Sequence, residues 1–385
     1  MRSVLINARV FDGERLHTGL NVVVESGRIT ALTSEALNPE TARTWDVQGR
    51  LLAPGLVDIQ VNGGGGIMFN DEPAVETIRR IGAAHRRFGT TGFLPTLISG
   101  SPETMVHAVA AVRTALKEKV PGLLGIHLEG PFLNPEYRGI HDDRRFRALQ
   151  DEDFSLFEMP GKARILLTIA PEKVHPDKVR QLVEAGVIVF GGHSAATYEQ
   201  VQVSLQAGLR GFTHLFNAMS PFTSREPGMV GAALQDGESW NGMIADGHHV
   251  HPASFAVALA AKPAGHSLLV TDAMATVGQE EKSFKWNGQT VVADDGCCRL
   301  PNGALAGSDL DMMTAVRNVI RFTGVDRYEA LRMASTYPAR ALRMDSELGY
   351  IKPGYRASLI ELDEDMNLRH SWVDGCAQDK TEENS

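Results

Sequence analysis

Cysteine is scarce in this chain of 385 residues: there are three, two adjacent at Cys297 and Cys298 and one near the end at Cys376. Three thiols so placed supply no disulfide framework, so each reads as a packed or half-exposed thiol and the compartment as a reducing cytoplasm. No apolar run is long enough to span a bilayer. The opening MRSVLINARVFDGERL lacks the uninterrupted apolar core and small-residue cleavage site of a signal peptide. Basic excess is missing too. The formal net charge is −9, which argues against a general nucleic-acid binder, although a few local cations can capture an anionic small molecule. No Gly-x-Gly-x-x-Gly follows an early strand, and no Gly-Lys-Ser/Thr follows Gly63–Gly66, so the glycines there read as tight turns or a close approach of backbone.

What is present suits a folded protein, with 43% hydrophobic and 22% charged residues. Only the acidic-polar end, from about Gln378 to Ser385, reads as disordered. Both ends are rich in short alternating strands joined by Gly and Pro turns: VLINARVF and NVVVESGRITAL at the front, LGYIKPGYRASLIELDED and NLRHSWVDG at the back. They predict one small β-sandwich domain assembled from residues 1–52 and 344–385. Between them the pattern becomes apolar strand, polar cluster, amphipathic helix, repeated. Eight runs qualify as strands: GLVDIQV, TTGFLPTLI, GLLGIHLEG, ARILLTIAPE, VIVFGGHS, GFTHLFNAM, NGMIADGHH and SLLVTDAM. Helical stretches such as AVETIRRIGAAHRRF, PETMVHAVAAVRTALKEK and PASFAVALAAK follow most of them. This alternation predicts a parallel (β/α)8 TIM-like barrel over residues 53–343, preferred to a doubly wound open sheet because the dinucleotide fingerprint is missing.

In such a barrel the reactive groups sit at the carboxyl ends of the strands. The third run ends in Glu129, the fifth in His193, the sixth contains His214, the seventh leads to His248 and His249, and the eighth ends in Asp272. One carboxylate and two imidazoles suit Zn²⁺ or a similar divalent ion with a position open for water, and Asp272 is then placed to take a proton. Each residue alone carries little weight, since a single strand histidine is more often a hydrogen-bonded core residue and an aspartate at a strand end is often a helix cap. A suitable group at several tips at once favours the metal site. His127 shares a strand face with Glu129 and suits a ligand-shell or a structural role equally. His248 and His251 read as surface or supporting groups, and Met312 and Met313 as core.

The segments HLEGPF, GGHSAAT, THLFNAM, SREPGMVGA, ADGHHV, LVTDAM, LAGSDLDM and YPARAL, in that order, resemble the N-acetylglucosamine-6-phosphate deacetylases of the amidohydrolase superfamily. The resemblance runs over nearly the whole chain. It implies that Glu129, His193 and His214 hold the catalytic metal, usually zinc, and that Asp272 is the general base and then the acid. It implies that Asn217 and Ala218 hold the sugar phosphate, that His249 contacts substrate, and that His141 lies over the substrate and polarises the acetyl carbonyl. Arg225 matches a position that reaches the phosphate across a dimer interface. The expected reaction converts N-acetylglucosamine 6-phosphate and water to glucosamine 6-phosphate and acetate. The same reaction on the galactosamine epimer, and a non-catalytic sugar-phosphate sensor on the same scaffold, are the alternatives. A cyclic-amide hydrolase of the dihydroorotase kind fits less well, because neither its histidine pair on the first strand nor its carboxylated lysine can be placed.

The first strand is where the chain departs from many amidohydrolases. LVDIQVNGGGG carries Asp58, Gln60 and Asn62 on one face, where a His-x-His pair commonly binds a second metal. Neutral carboxamides are poor zinc ligands. The substitution predicts one metal per chain, with Gln60 expected to hydrogen-bond the metal-bound water or to fill the vacant position.

Overall fold

The computed structural model describes residues 2–35 and 42–378. The tail expected to be disordered lies, beyond Gln378, outside them. All eight expected runs become strands of one sheet: β1 (Leu56–Val61), β2 (Thr90–Ile98), β3 (Gly125–Glu129), β4 (Arg164–Ile169), β5 (Ile188–Gly191), β6 (Gly211–Phe212), β7 (Trp240–Ile244) and β8 (Ser267–Val270). Their order in the sheet is their order in the chain, and every neighbouring pair is parallel. The strands are buried on both faces, as their unbroken apolar runs require when helices cover the outside.

The barrel closes between β8 and β1 just beyond the regular ladder. A parallel bridge joins Val61 to Ala273, Asp272 N–H donates to Gln60 O at 3.1 Å, and Asn62 N–H donates to Ala273 O at 3.0 Å. Below these, the buried carboxylate of Asp58 accepts from Thr271 Oγ1 at 2.5 Å and Thr271 N at 3.3 Å. The seam is therefore made partly by a side chain, which spends the first polar group of the Asp-x-Gln-x-Asn series on structure.

The helices Val75–Arg86, Pro102–Lys117, Pro176–Glu184, Tyr198–Gln206 and Pro252–Ala261 fall where their periodicity places them. His251 caps the last of these, its Nδ1 accepting from Ala253 N–H, and Met312 and Met313 are buried core. The sixth strand is shorter than its apolar run. Only Gly211 and Phe212 pair, because His214, Phe216 and Ala218 take φ of 36°, 79° and 50° and cannot continue a ladder.

Strands from the two ends of the chain share an eight-stranded sheet, in which Leu51–Pro54 pairs antiparallel with Leu359–Leu362. Leu5, Val22, Ile29, Leu359 and Trp372 pack within it. Glu361 is fully buried there but satisfied by Arg50, Trp45 Nε1 and His370 Nδ1. A further four-stranded sheet, formed by Ser283–Trp286, Gln289–Asp294, Cys297–Arg299 and Leu305–Ser308, was not separated from the barrel by sequence. Its turns are Asn287-Gly288 and Asp295-Gly296, both with positive φ throughout, the commonest signature of a two-residue hairpin turn.

Candidate active site

The tips of β3, β5 and β6 bring Glu129, His193 and His214 to one point. Glu129 Oε1 lies 3.3 Å from His193 Nε2 and 3.0 Å from His214 Nε2, and the two imidazole nitrogens are 3.0 Å apart. His193 Nδ1 faces the carbonyl of Tyr137 at 2.8 Å, so that nitrogen carries the proton and Nε2 presents a lone pair. A carboxylate oxygen and an imidazole lone pair at this distance repel unless a positive charge sits between them. Ligand atoms about 3.3 Å apart are also what a tetrahedral ion bound at about 2.0 Å requires. The donor set thus fits a divalent ion on both charge and spacing, and these three residues form the cluster of metal-ligating groups found among the described residues.

Asp272 follows β8. Its Oδ1 accepts from Asn62 Nδ2 at 2.7 Å and Gln60 Nε2 at 3.0 Å. Gln60 Nε2 also donates to Glu129 Oε1 at 3.1 Å. Burial and the nearby Glu129 charge raise Asp272 above the usual carboxylate range. His193, His214 and Asp272 all have left-handed backbones, with φ of 49°, 36° and 53°. Such conformations are uncommon in non-glycine residues and are kept where the surroundings enforce them, as at functional sites.

His141, in the loop after β3, is held by Ser99 Oγ through Nδ1 at 2.8 Å, leaving Nε2 3.8 Å from Glu129 Oε2. His249 is held by Asp246 through Nδ1 at 2.5 Å. Together with Asn62, Asn217, Ala218, Ile140, Leu305 and Gly307 these groups line a cavity of about 170 Å³. The four-stranded sheet forms part of its roof: Leu305 and Gly307 belong to it, and Trp286 Nε1 donates to Ile140 O at 3.0 Å.

Of the residues singled out by sequence, Glu129, His193, His214, Asp272, His141, Asn217, Ala218 and His249 all line this cavity. Arg225 does not. It is exposed on the loop before the helix Gly228–Gln235 and makes no salt bridge among the described residues. His248 turns to the carbonyl of Asp295, away from the site. His127 is structural: Thr168 Oγ1 at 2.8 Å and Thr96 Oγ1 at 3.2 Å occupy its two nitrogens, and burial pulls it down to about 4.

Sequence reasoning passed over Glu172. Its carboxylate accepts from Ser194 Oγ at 2.6 Å, Ala195 N at 2.8 Å and Asn134 Nδ2 at 2.8 Å, fixing the turn that carries His193. The available signal was an acidic residue just past the tip of the fourth strand, in the same kind of position as Glu129. Leu305 and Gly307 were missed as site residues because their closeness depends on how the hairpins fold back.

The chain belongs to the amidohydrolase family, whose model matches residues 51–378. Within that family it is similar to amino-sugar phosphate deacetylases. It is 42% identical to an N-acetylgalactosamine-6-phosphate deacetylase of Shewanella sp. (strain ANA-3), over 84% of this chain and 82% of that protein. It superposes on the crystal structure of N-acetylglucosamine-6-phosphate deacetylase from Pasteurella multocida with a TM-score of 0.93 and 34% identity, covering 98% of this chain and 100% of that one. The TM-score is 0.88, with 30% identity and coverage of 98% and 99%, for a mutant deacetylase from Mycobacterium smegmatis in complex with N-acetyl-D-glucosamine-6-phosphate.

Proposed function

We propose that the chain hydrolyses the acetamide of N-acetylglucosamine 6-phosphate, using one divalent ion, zinc, per chain, and that it works in the cytoplasm as a homodimer. The observation that carries this reading is the convergence of Glu129, His193 and His214 on one point, with Asp272 on the same cavity wall. A divalent ion held by those three side chains supplies the Lewis acidity that activates water and polarises an amide carbonyl.

The remaining chemistry belongs to the chain's own side chains. Both amide donors engage Asp272 Oδ1, leaving Oδ2 to take a proton from the attacking water and return it to the departing nitrogen. Without that second transfer the amine would be a poor leaving group. His141, anchored through Nδ1, directs Nε2 into the cavity, where a donor can hold the acetyl oxygen. His249 is oriented in the same manner by Asp246, which suits it to a sugar hydroxyl. Asn217 and Ala218 lie on the left-handed stretch after β6 and are assigned to the phosphate. Arg225, exposed and free of salt bridges among the described residues, suits a planar fork offered to the phosphate in a neighbouring subunit's site.

The galactosamine epimer is the second reading, motivated by the name of the 42%-identical relative. Acetate release from both sugar phosphates, measured with protein of known metal content, tests the proposal. The expected outcome is turnover with the larger kcat/KM on the glucosamine epimer. A larger value on the galactosamine epimer transfers the assignment, and folded, metal-replete protein that binds either sugar without releasing acetate would make it a sensor.

A further inference from the structure

A second cavity, of about 460 Å³, lies on the flank of the barrel between the helix Val75–Arg86 and the strand Leu368–Val373 of the terminal sheet. It shares no lining residue with the active-site cavity. Its walls carry Arg80, Arg86, Arg87 and Arg369. Arg80, Arg86 and Arg87 have no carboxylate within 4.0 Å among the described residues, and Arg369 pairs with Asp363 at 3.1 Å. Arg86 donates to Pro121 O at 3.2 Å, a residue outside the lining, so in a chain of net charge −9 the unpaired positive charge facing this hollow is that of Arg80 and Arg87.

The side chains of Arg80 and Arg87 are aimed as well as clustered. Arg80 Nε donates to Gly65 O at 2.5 Å and Arg87 Nη1 donates to Gly278 O at 2.9 Å, so a neutral carbonyl orients each fork without cancelling its charge. Each guanidinium keeps most of its five donors for another partner. Cations at a helix C-terminus are favoured by the negative end of its dipole, which accounts for Arg86 and Arg87 but not for Arg80, one to two turns earlier, or for Arg369 on another element. Gln279 and Ser371 add neutral polar groups to the same lining.

We propose that this flank cavity is a binding site for a small anion bearing a phosphate group. Planar forks match phosphate oxygens in pairs. The cavity's size suits a small molecule, and the chain's overall negative field disfavours an extended polyanion such as nucleic acid.

Ala83 and Ala84 also line the cavity, so their methyl resonances in alanine-labelled full-length protein report on it directly. Titration with inorganic phosphate is expected to shift both signals saturably. In Arg80→Gln/Arg87→Gln, saturation should need about tenfold more phosphate or worse, the usual scale for losing charged hydrogen bonds. Arg225→Ala, which alters only the proposed substrate loop, should leave the curve unchanged. Three results would overturn the proposal: no shift, an equal shift with chloride at the same ionic strength, or the same curve in the double variant.

Discussion

The side-chain amide of Gln60 donates to Asp272 Oδ1 at 3.0 Å while also donating to Glu129 Oε1 at 3.1 Å, so one neutral group ties the proposed proton carrier to the proposed metal ligand. Its N–H₂ faces both carboxylates and therefore offers no lone pair there, which makes a second ion at this position unfavourable. Metal analysis should find about one tightly held divalent ion per chain. Gln60→Leu should keep that ion and lower kcat by about 10- to 100-fold, because Asp272 loses one of two donors. Two tight ions per chain would refute the mononuclear reading.

Asp272→Asn keeps the shape of the side chain and its contacts with Gln60 and Asn62 but cannot carry the proton. The expected result is unchanged metal content with kcat reduced by on the order of 10³ or more. Near-normal turnover would remove Asp272 from the proton-transfer role.

His127 lies beneath the site but spends both nitrogens on threonine hydroxyls. His127→Asn should destabilise the fold by about 1–3 kcal/mol, the scale for disrupting buried hydrogen bonds, with no loss of metal. Loss of the ion from a folded variant would return His127 to the ligand set.

Asp58 at the barrel seam gives a pH signature. Burial pushes its carboxyl up to about 7, against the smaller opposing effect of its hydrogen bonds from Thr271 and Gln60. A carboxyl that titrates near 3.9 in the unfolded chain thus binds its proton more tightly when folded. Its stability contribution is fully present below about pH 4 and is lost progressively as pH rises to about 7, by as much as roughly 4 kcal/mol. Asp58→Asn cannot titrate. The stability of the variant relative to the parent should therefore rise between about pH 4 and about pH 7 in denaturant unfolding and level off above. A difference that stays flat over that range would show that Asp58 titrates normally.

Arg225→Ala should raise KM for the phosphorylated sugar by on the order of tenfold or more and leave metal content alone. Mixed with Asp272→Asn under subunit exchange, it should recover activity at low substrate, since a hybrid dimer would contain one site with both functional groups. Absence of recovery despite demonstrated exchange would place Arg225 outside the neighbouring site.

Much of the architecture could be read directly because its signals are local. Each apolar run from GLVDIQV to SLLVTDAM, bounded by polar turns and in most cases followed by a helical period, became a barrel strand in the expected order. The tips bearing Glu129, His193, His214 and Asp272 could be listed from that alternation alone, since barrel geometry brings successive strand ends to one face. The hairpins after β8 were equally visible in Asn287-Gly288 and Asp295-Gly296, but their place over the cavity was not, because a turn signal says nothing about where the hairpin packs.

Residue identity along the chain determined the kind of site: a carboxylate and imidazoles at strand ends, a lone aspartate after the last strand, and amides where a second metal's ligands would stand. Tertiary structure decided which of these meet. It gave His127 to Thr96 and Thr168, Asp58 to Thr271, and the amide of Gln60 to both Glu129 and Asp272. It also gathered arginines from a helix and a distant strand around one flank cavity. Periodicity is a short-range property and survives in the sequence, whereas the partner of a buried polar group is set by contacts between residues that can be two hundred positions apart, and only the folded chain satisfies them.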